Sequence, residues 1–547
     1  MSMVDKKEAA TKSKVVLIVS MIIAIVFVAL GAIFPDGTAR VINILNSFLT
    51  GELGWMYLLF MAFFVFFTFG LAFSKYGKIK LGKDDDKPEF SNFQWFALLF
   101  GGGIGIGLVF WAIAEPMQHL ATGPQDPALT VEAMRTAVRI TFAHEGVHCW
   151  ATFALVGTCL AYHVYRKDRP FLMSSAFYPL FGDRIYGPIG YVVDILATFA
   201  TLFGIVTSLG LAAMQIVGGL SYMYGFDTSN VTVAIVIAVI TLGFTLATAT
   251  GLHAWMTKVV NLKTWLAILF MLFFLVFGGF VFIMRNMSDA IGVYLNDFFT
   301  QTFWYGDPEW LSSWTVFYWA WWISWATFCG TFFARVSKGR SVRQMLLGST
   351  FLPAGFSFIW IAIYASAAFN LDLTFLEDGS VLTGPIFEAA NADYATAMYA
   401  TLEQLPLYQI MGPLALILVF LCFLGAADSA TFVLPMLTMG GSQNPPKKAR
   451  IFWGAAQGAV AIVLVLAAGE ATLKALQTAS VMAAFPFMFI LALMCIGIVR
   501  AFKGEFNPSI GDTPMFDKEA RQAAKARKAE QKAAAQKAAE EEAAAEQ

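Results

Sequence analysis

The stretch Trp319-Ala-Trp-Trp-Ile-Ser-Trp325 places four tryptophans within seven positions of an apolar segment that runs on to Arg335. Indole rings carry negative charge on their faces, so several of them around one cavity can hold a quaternary ammonium group, which donates no hydrogen bond. Tryptophans that anchor a helix in the lipid interface usually lie near its ends, whereas these continue inward. The stretch therefore predicts a membrane-embedded site for an onium compound, with a purely structural tryptophan-rich helix as the alternative.

Long apolar runs cover most of the chain, which has 547 residues, 58% of them hydrophobic and 13% charged. We predict an all-α polytopic membrane protein with twelve spans, because each run is long enough for a hydrocarbon core of about 30 Å. The first run is too long for a cleavable signal and is expected to stay as a helix. The predicted spans are residues 15–34, 54–74, 94–114, 138–162, 188–222, 231–249, 258–284, 315–335, 345–369, 408–437, 451–469 and 476–499.

Loop charges predict the orientation, because lysine and arginine are retained on the cytoplasmic side. The loops after spans 2, 4, 8 and 10 are basic, and those after spans 7 and 9 are acidic. We therefore expect a multi-pass protein of the bacterial inner membrane, with a cytoplasmic N-terminus at 1–14, a transporter domain at 15–500 and a cytoplasmic Ala/Lys/Glu-rich tail at 501–547. The net charge of -1 gives no sign of a nucleic-acid partner. All five cysteines fall within spans, which favours buried free thiols over disulfides.

A glycine run in span 3, from Gly101 to Gly107, contains five glycines in seven positions. Each costs about 1 kcal/mol in an isolated helix, so the run is there either to unwind the helix or to let another helix approach closely, as the Gly103 and Gly107 spacing would allow. Irregular backbone at membrane depth is tolerated where it lines a cavity. Five spans separate this run from the tryptophans of span 8, the spacing expected of two inverted five-helix repeats that follow two initial helices.

Several of these motifs together closely resemble the betaine/choline/carnitine transporter family over roughly residues 15–505. They are Gly103 to Leu108, Ala114-Glu115-Pro116, Ser208 to Leu211, Trp319 to Gly330, Ala334 to Arg340 and Ala427-Asp428-Ser429. The resemblance implies the inverted-repeat fold of the leucine transporter, a homotrimer in membrane lipid, and secondary transport of a small quaternary ammonium compound without enzymatic activity, cofactor or bound metal. It implies substrate binding by Trp321, Trp322, Trp325, Trp150, Phe153, Glu145, Ile104 and Gly105, and a permeation path along Phe328 and Phe332.

Span 4 departs from the family pattern. It reads His144-Glu145-Gly-Val-His148-Cys-Trp150-Ala-Thr-Phe153, so that Glu145 stands where the family has a tryptophan and Phe153 where it has a tyrosine. An ionisable residue this deep in a membrane is costly and normally faces the protein interior. Glu145 could attract a cationic substrate, carry a proton during transport or form a structural hydrogen bond. Gly107, which replaces an aspartate found in choline carriers, favours a zwitterionic substrate, so the charge of the substrate stays open.

The residues expected to couple transport to an ion also differ. Sodium-coupled relatives carry a Thr-Ser pair where this chain has Gly425 and Ala426, and a second threonine where it has Ile205. Two side chains without oxygen cannot replace hydroxyl ligands of a hard cation, although Thr207 and Ser208 remain nearby. We therefore predict sodium-independent exchange or proton-linked uptake, with Glu145 and Asp428 as candidate coupling residues. A sodium-coupled glycine betaine symporter for osmoprotection is the alternative, and a non-transporting sensor is a weaker one.

The stretch His144 to His148 also matches His-Glu-x-x-His, the pattern in which two histidines one helical turn apart bind zinc in metalloproteases. This match suggests an intramembrane zinc protease as a hypothesis of another class. The pattern has two free positions, and the remaining histidines, His119, His163 and His253, lie near span ends. We therefore expect no metal site here.

Overall fold

The computed structural model describes residues 3–103, 105–250, 253–468, 471–507 and 513–516, together with Gln522 and Ala526. Within these ranges the side chains of 3–13, 100–103, 249–250, 253–257 and 428 are outside the description. The helices are α1 (Met3–Ile33), α2 (Pro35–Ser47), α3 (Gly54–Phe73), α4 (Asn92–Gly103), α5 (Ile106–Thr122), α6 (Val131–Glu145), α7 (Val147–Ala161), α8 (Tyr178–Phe181), α9 (Pro188–Tyr224), α10 (Asn230–Thr250), α11 (His253–Phe277), α12 (Phe280–Phe303), α13 (Pro308–Leu311), α14 (Phe317–Val336), α15 (Val342–Asp372), α16 (Pro385–Ala392), α17 (Ala397–Glu403), α18 (Tyr408–Thr438), α19 (Lys447–Ala467) and α20 (Thr472–Phe506).

Ten helical segments of the described chain are long and apolar enough to cross a membrane. They correspond to the predicted spans 1, 2, 4 to 7 and 9 to 12, so the all-α, multi-pass architecture is confirmed. Predicted span 3 is divided between α4 and α5, of 12 and 17 residues, each shorter than the ~20 residues that cross a bilayer. Predicted span 8 is α14, whose tryptophans and tyrosine are less apolar than aliphatic residues. The count of twelve spans and the inverted repeat remain predictions.

Two predicted spans are interrupted at a glycine. Span 3 breaks between α4 and α5, where Gly105 is fully extended at φ −111° and ψ 173°. Span 4, which we predicted as one helix over 138–162, instead consists of α6 and α7, which meet at Gly146. A Cβ on Gly146 would lie 2.3 Å from the Phe142 carbonyl oxygen and 2.4 Å from a ring carbon of Phe358, so only glycine fits there. A single glycine in the sequence was too weak an indication for us to predict this break.

Helix α14 lies at the centre of the bundle and packs against α7, α9 and α20. It crosses α7 where Gly330 faces Gly157. A Cβ on Gly330 would lie 2.6 Å from the Val156 Cγ1 and 3.0 Å from the Gly157 backbone nitrogen, so the two backbones are in direct contact. Small residues allow such close helix crossings in membranes, where packing rather than water exclusion holds helices together.

Ionic contacts join the ends of the spans. At one end, Arg135 of α6 donates two hydrogen bonds of 2.6 Å to Asp289 of α12, and Arg139 pairs with Asp297. At the same end, the two-stranded hairpin β1 (Thr374–Phe375) and β2 (Val381–Leu382) pairs Thr374 with Leu382. These contacts fix α12 and the hairpin over the ends of the spans.

At the opposite end of the spans, ionic and backbone contacts fix the C-terminal end of α20. Glu505 of α20 accepts hydrogen bonds from Tyr162 at 2.7 Å and from Arg166 at 3.0 and 2.7 Å. The backbone nitrogens of Met515 and Phe516 donate to the carbonyl oxygens of Pro179 and Leu180. Apart from Gln522 and Ala526, the predicted tail from 517 onward lies outside the described residues. All five cysteines are buried and free, as predicted.

We expect Gly330→Ala to lower the thermal stability of the purified protein, by about 1–3 kcal/mol, because the added methyl group overpacks the contact with α7. Gly243→Ala is the matched control, since no atom lies within 4 Å of the position of its Cβ and the residue is exposed in the middle of α10. That change should be neutral or slightly stabilising. The two variants are heated in detergent, and the folded fraction that remains at each temperature is measured by size-exclusion chromatography. Equal midpoint temperatures for the two variants would contradict a tight contact between Gly330 and α7.

Candidate functional site

Aromatic rings from α7 and α14 form one continuous wall. The rings of Trp321 and Trp322 stack with centroids 4.6 Å apart and an interplanar angle of 15°. Phe153 meets Trp322 edge to face at 6.1 Å and meets Trp150 edge to face at 5.5 Å. The structure therefore brings together four of the five aromatic residues predicted to bind substrate. Trp325 lies one turn further along α14.

Backbone carbonyls hold these rings in place. Trp322 donates its Nε1–H to the carbonyl of His144 at 2.6 Å, and Trp150 donates to the carbonyl of Glu145 at 3.1 Å. Both carbonyls are at the C-terminal end of α6, where the break at Gly146 leaves them without helical partners. On the other side, Trp321 and Trp325 both donate to the carbonyl of Gly204 in α9 at 3.2 and 2.8 Å. Because the indole N–H groups are occupied, these rings have no free donor for a ligand.

The glycine run meets the wall at Gly107. A Cβ at this position would lie 3.1 Å from Cη2 of Trp321 and 3.3 Å from Oε1 of Glu145, so a glycine, an indole and a carboxyl group converge at one point. Gly105 lies two residues earlier, partly buried in the gap between α4 and α5. Ile104 falls outside the described residues.

The Glu145 side chain is 4% exposed, and its buried Oε1 has no hydrogen-bond partner among the described residues. A buried carboxylate without a partner is strongly destabilised, so this group is stable either when protonated or when a cation lies beside it. The structural alternative is a hydrogen bond to His148 or to a neighbouring helix, and the bond to His148 is not formed. His148 instead contacts Thr302 at 2.9 Å and stacks on Trp319 at 4.9 Å. Trp319 therefore faces away from the wall that the other tryptophans form.

Burial decreases along α14 beyond the wall. Trp321 and Trp322 are buried, whereas Trp325, Phe328 and Phe332 are half-buried. Their spacing of three and four residues places these three rings on one face of the helix. Phe328 and Phe332 are the two residues that we predicted along a permeation path, and Trp325 was predicted to bind substrate.

A second polar cluster lies one turn from the wall and was not predicted. Glu115 is fully buried and accepts hydrogen bonds from His119 Nε2 at 3.1 Å, from His144 Nδ1 at 2.7 Å and from the Tyr318 hydroxyl. Thr315, in the turn before α14, contacts the other nitrogen of His144 at 2.9 Å. We call these five residues the histidine cluster. A signal was present in the sequence, because Glu115 and His119 are one helical turn apart directly after predicted span 3.

The geometry does not support the protease hypothesis. The break at Gly146 separates the two histidines of the His-Glu-x-x-His pattern, so that His144 faces Glu115 and Thr315, while His148 faces Thr302. Zinc proteases of that pattern need both histidines on one face of a continuous helix. The polar contacts of the two imidazoles diverge instead of converging.

The predicted coupling region lies on α18. Gly425 and Ala426 are partly buried there, and the side chain of Asp428 is outside the described residues. Val260 of α11 packs toward Gly425, and Lys263, one turn further, is 6% exposed and interacts electrostatically with Cys422 of α18. The sequence did not single out this lysine, because it lies near the start of predicted span 7. A lysine at such a position usually extends its ammonium group to the membrane surface.

Comparisons with known proteins agree with this architecture. The sequence model of the betaine/carnitine/choline family of transporters matches residues 15–507. A probable glycine betaine transporter of Desulfitobacterium hafniense is 55% identical over 502 residues, covering 92% of this chain and 99% of that protein. The glycine betaine transporter OpuD of Bacillus subtilis is 42% identical, covering 87% and 91%, and the osmo-independent choline transporter BetT1 of Acinetobacter baylyi is 36% identical, covering 88% and 91%.

These relatives are transporters rather than enzymes, and they match almost the full length of the chain. The predicted family is thus confirmed by both the family model and the relatives. The multi-pass helical bundle is the architecture that a membrane transporter requires. The chain belongs to the betaine/carnitine/choline family of membrane transporters.

Proposed function

We propose that this protein carries betaine-type quaternary ammonium compounds across the bacterial cytoplasmic membrane by alternating access, without sodium. The wall formed by Trp150, Phe153, Trp321 and Trp322 is the observation that carries the proposal, because ring faces attract an onium group that has no hydrogen-bond donor. Relatives named as glycine betaine transporters support the same class of substrate. Cytoplasmic termini and a homotrimer in membrane lipid belong to the proposal as expectations.

Substrate would enter or leave along Trp325, Phe328 and Phe332. This face of α14 is half-buried and leads away from the wall toward the end that we predict to be cytoplasmic. The extended backbone at Gly105 lies two residues before Gly107, whose Cβ position is 3.1 Å from Trp321, which supports a role for Gly105 in lining the site, and Ile104 stays a candidate from the sequence. Choline and carnitine share the onium group and are further candidate substrates.

We expect Trp322→Leu to weaken the affinity for glycine betaine about thirtyfold, because a desolvated cation–π contact contributes about 2 kcal/mol and each 1.4 kcal/mol corresponds to a factor of ten. Trp265→Leu is the control, since that indole is 70% exposed on the outer face of α11. Binding is measured on purified protein by isothermal titration, after size-exclusion chromatography shows that both variants fold. Equal affinities in the two variants would argue against the aromatic wall as the binding site.

Glu145 would contact the onium group from the side opposite the rings. Its unpartnered Oε1 is buried at the point where Gly107 and Trp321 meet, so a bound cation would supply the missing partner. In the alternative role, the same carboxyl carries a proton during transport. The two roles predict different effects of a Glu145 substitution on the binding of choline and of betaine.

We expect Glu145→Gln to weaken the binding of choline, a net cation, about tenfold, and that of zwitterionic betaine less, because betaine brings its own carboxylate near Glu145. Competition binding with both compounds at pH 6 and pH 8 provides the measurement. If both affinities stay unchanged while the pH dependence of uptake disappears, the carboxyl carries a proton and does not select substrate.

Sodium independence rests on the α11–α18 contact. Gly425 and Ala426 offer no side-chain oxygen to a hard cation at this contact. Asp428 stays a candidate coupling residue on the same helix.

Replacing sodium by potassium on both sides of proteoliposomes should therefore leave the initial rate of betaine exchange unchanged within about twofold. Radiolabelled betaine, loaded inside and chased with external unlabelled betaine, gives the rate. A steep rise in uptake driven by an inward sodium gradient alone would favour the sodium-coupled symporter for osmoprotection. Binding without transport in any ionic condition would favour a sensor.

A further inference from the structure

The histidine cluster has an unused capacity for a proton. With both imidazoles neutral, Glu115 is a carboxylate that accepts from His119, His144 and Tyr318, and His144 in turn accepts from Thr315. The other nitrogen of His119, Nδ1, is buried and has no partner among the described residues. The cluster then carries one net negative charge in the protein interior, and one added proton makes it neutral as an imidazolium–carboxylate pair.

The titratable groups around Glu115 are few. His119 comes from its own helix, His144 and Glu145 from α6, and Tyr318 from α14. Tyr394 lies one aromatic layer further away, against the rings of Trp111 and Trp314. The second carboxyl, Glu145, adds to the negative charge near the cluster when it is ionised. Among the described residues, no lysine or arginine contributes to these electrostatic interactions of Glu115.

The cluster is mechanically joined to the aromatic wall. Glu115 lies two turns from Gly107 on α5, His144 precedes Glu145 at the end of α6, and Tyr318 lies one turn before Trp322 on α14, with ring centroids 5.9 Å apart. Each of the three helices therefore carries a member of the histidine cluster and a residue that belongs to the aromatic wall or lies beside it. In this conformation the cluster is sealed from water, since Glu115, His119 and His144 are fully buried. Water can reach it only when these helices separate at the end that we predict to be outside.

We propose that the histidine cluster is the binding site of a coupling proton, which makes the protein a proton-linked carrier of the onium compounds proposed above. This inference rests on the proposed function. When the outer ends of α5, α6 and α14 separate, the cluster takes a proton from outside water. After the wall has bound substrate and the outer side has closed, the proton and the substrate leave on the inner side. No bond other than that to the transferred proton is made or broken.

His119→Gln tests the site, because the amide keeps a donor for Glu115 but cannot take up the proton. Proteoliposomes contain a trapped pH-sensitive dye and unlabelled betaine, and potassium with valinomycin holds the membrane potential at zero. Betaine is then added outside at a higher concentration than inside. We expect the wild-type protein to acidify the lumen as betaine enters down this gradient. In the variant, the rate of acidification should be at least tenfold lower, while the rate of radiolabelled betaine exchange stays within about threefold of wild type.

His163→Gln is the matched control, since His163 is also fully buried with one unpartnered nitrogen but lies outside the cluster. It should retain both proton flux and exchange. Glu115→Gln is the second cluster variant, used if His119→Gln does not fold, and it should likewise lose proton flux and keep exchange. Proton flux that persists in either folded cluster variant overturns the site.

The wild-type protein separates this inference from the proposed function. If it exchanges betaine but moves no protons, the proton site is wrong and the betaine carrier stands. If it exchanges none of betaine, choline and carnitine, the proposed function is wrong, and the inference fails with it. Proton flux that follows betaine and vanishes with either cluster variant supports both.

Discussion

Hydrocarbon offers no hydrogen-bond partner to a backbone carbonyl, and this constraint governs the centre of the protein. The break at Gly146 frees the carbonyls of His144 and Glu145, and the indoles of Trp322 and Trp150 satisfy them. Each indole is thereby held with its N–H turned into the protein. An interruption that would be costly in lipid thus orients the aromatic wall, and the glycine that causes it cannot be replaced without a clash with Phe142 and Phe358.

Two buried carboxyl groups, Glu115 of α5 and Glu145 at the end of α6, have opposite surroundings. Glu115 has three hydrogen-bond donors and is fully satisfied, whereas the Oε1 of Glu145 has none among the described residues. A satisfied carboxylate holds its charge, and an unsatisfied one requires a proton or a cation. Because His144 and Glu145 are adjacent, a movement at Gly146 acts on both groups at once. This contrast is the basis on which we propose a position for an onium group beside Glu145 and, separately, a position for a proton at Glu115.

The sequence predicted the parts of this arrangement that depend on local composition. Apolar runs gave the multi-pass helical architecture, the clustered glycines marked the break at Gly105, and the tryptophans of α14 marked the aromatic wall. The break at Gly146 was missed because a lone glycine is common within a helix. The histidine cluster was missed because its members are up to 203 residues apart, so that neither Glu115 nor Tyr318 indicates the other.

The sequence by itself determined the class of the protein, because residue types fix whether a segment can cross lipid, and its tryptophans are the basis of the proposed onium site. Only the tertiary structure decided which residues act together. Trp319 and Trp321 are two positions apart, yet one stacks on His148 and the other on Trp322. His144 and His148 separate in the same way. The physical reason is that spacing along a helix sets the direction of a side chain, whereas the partner in that direction belongs to another helix, whose position depends on the packing of the whole bundle.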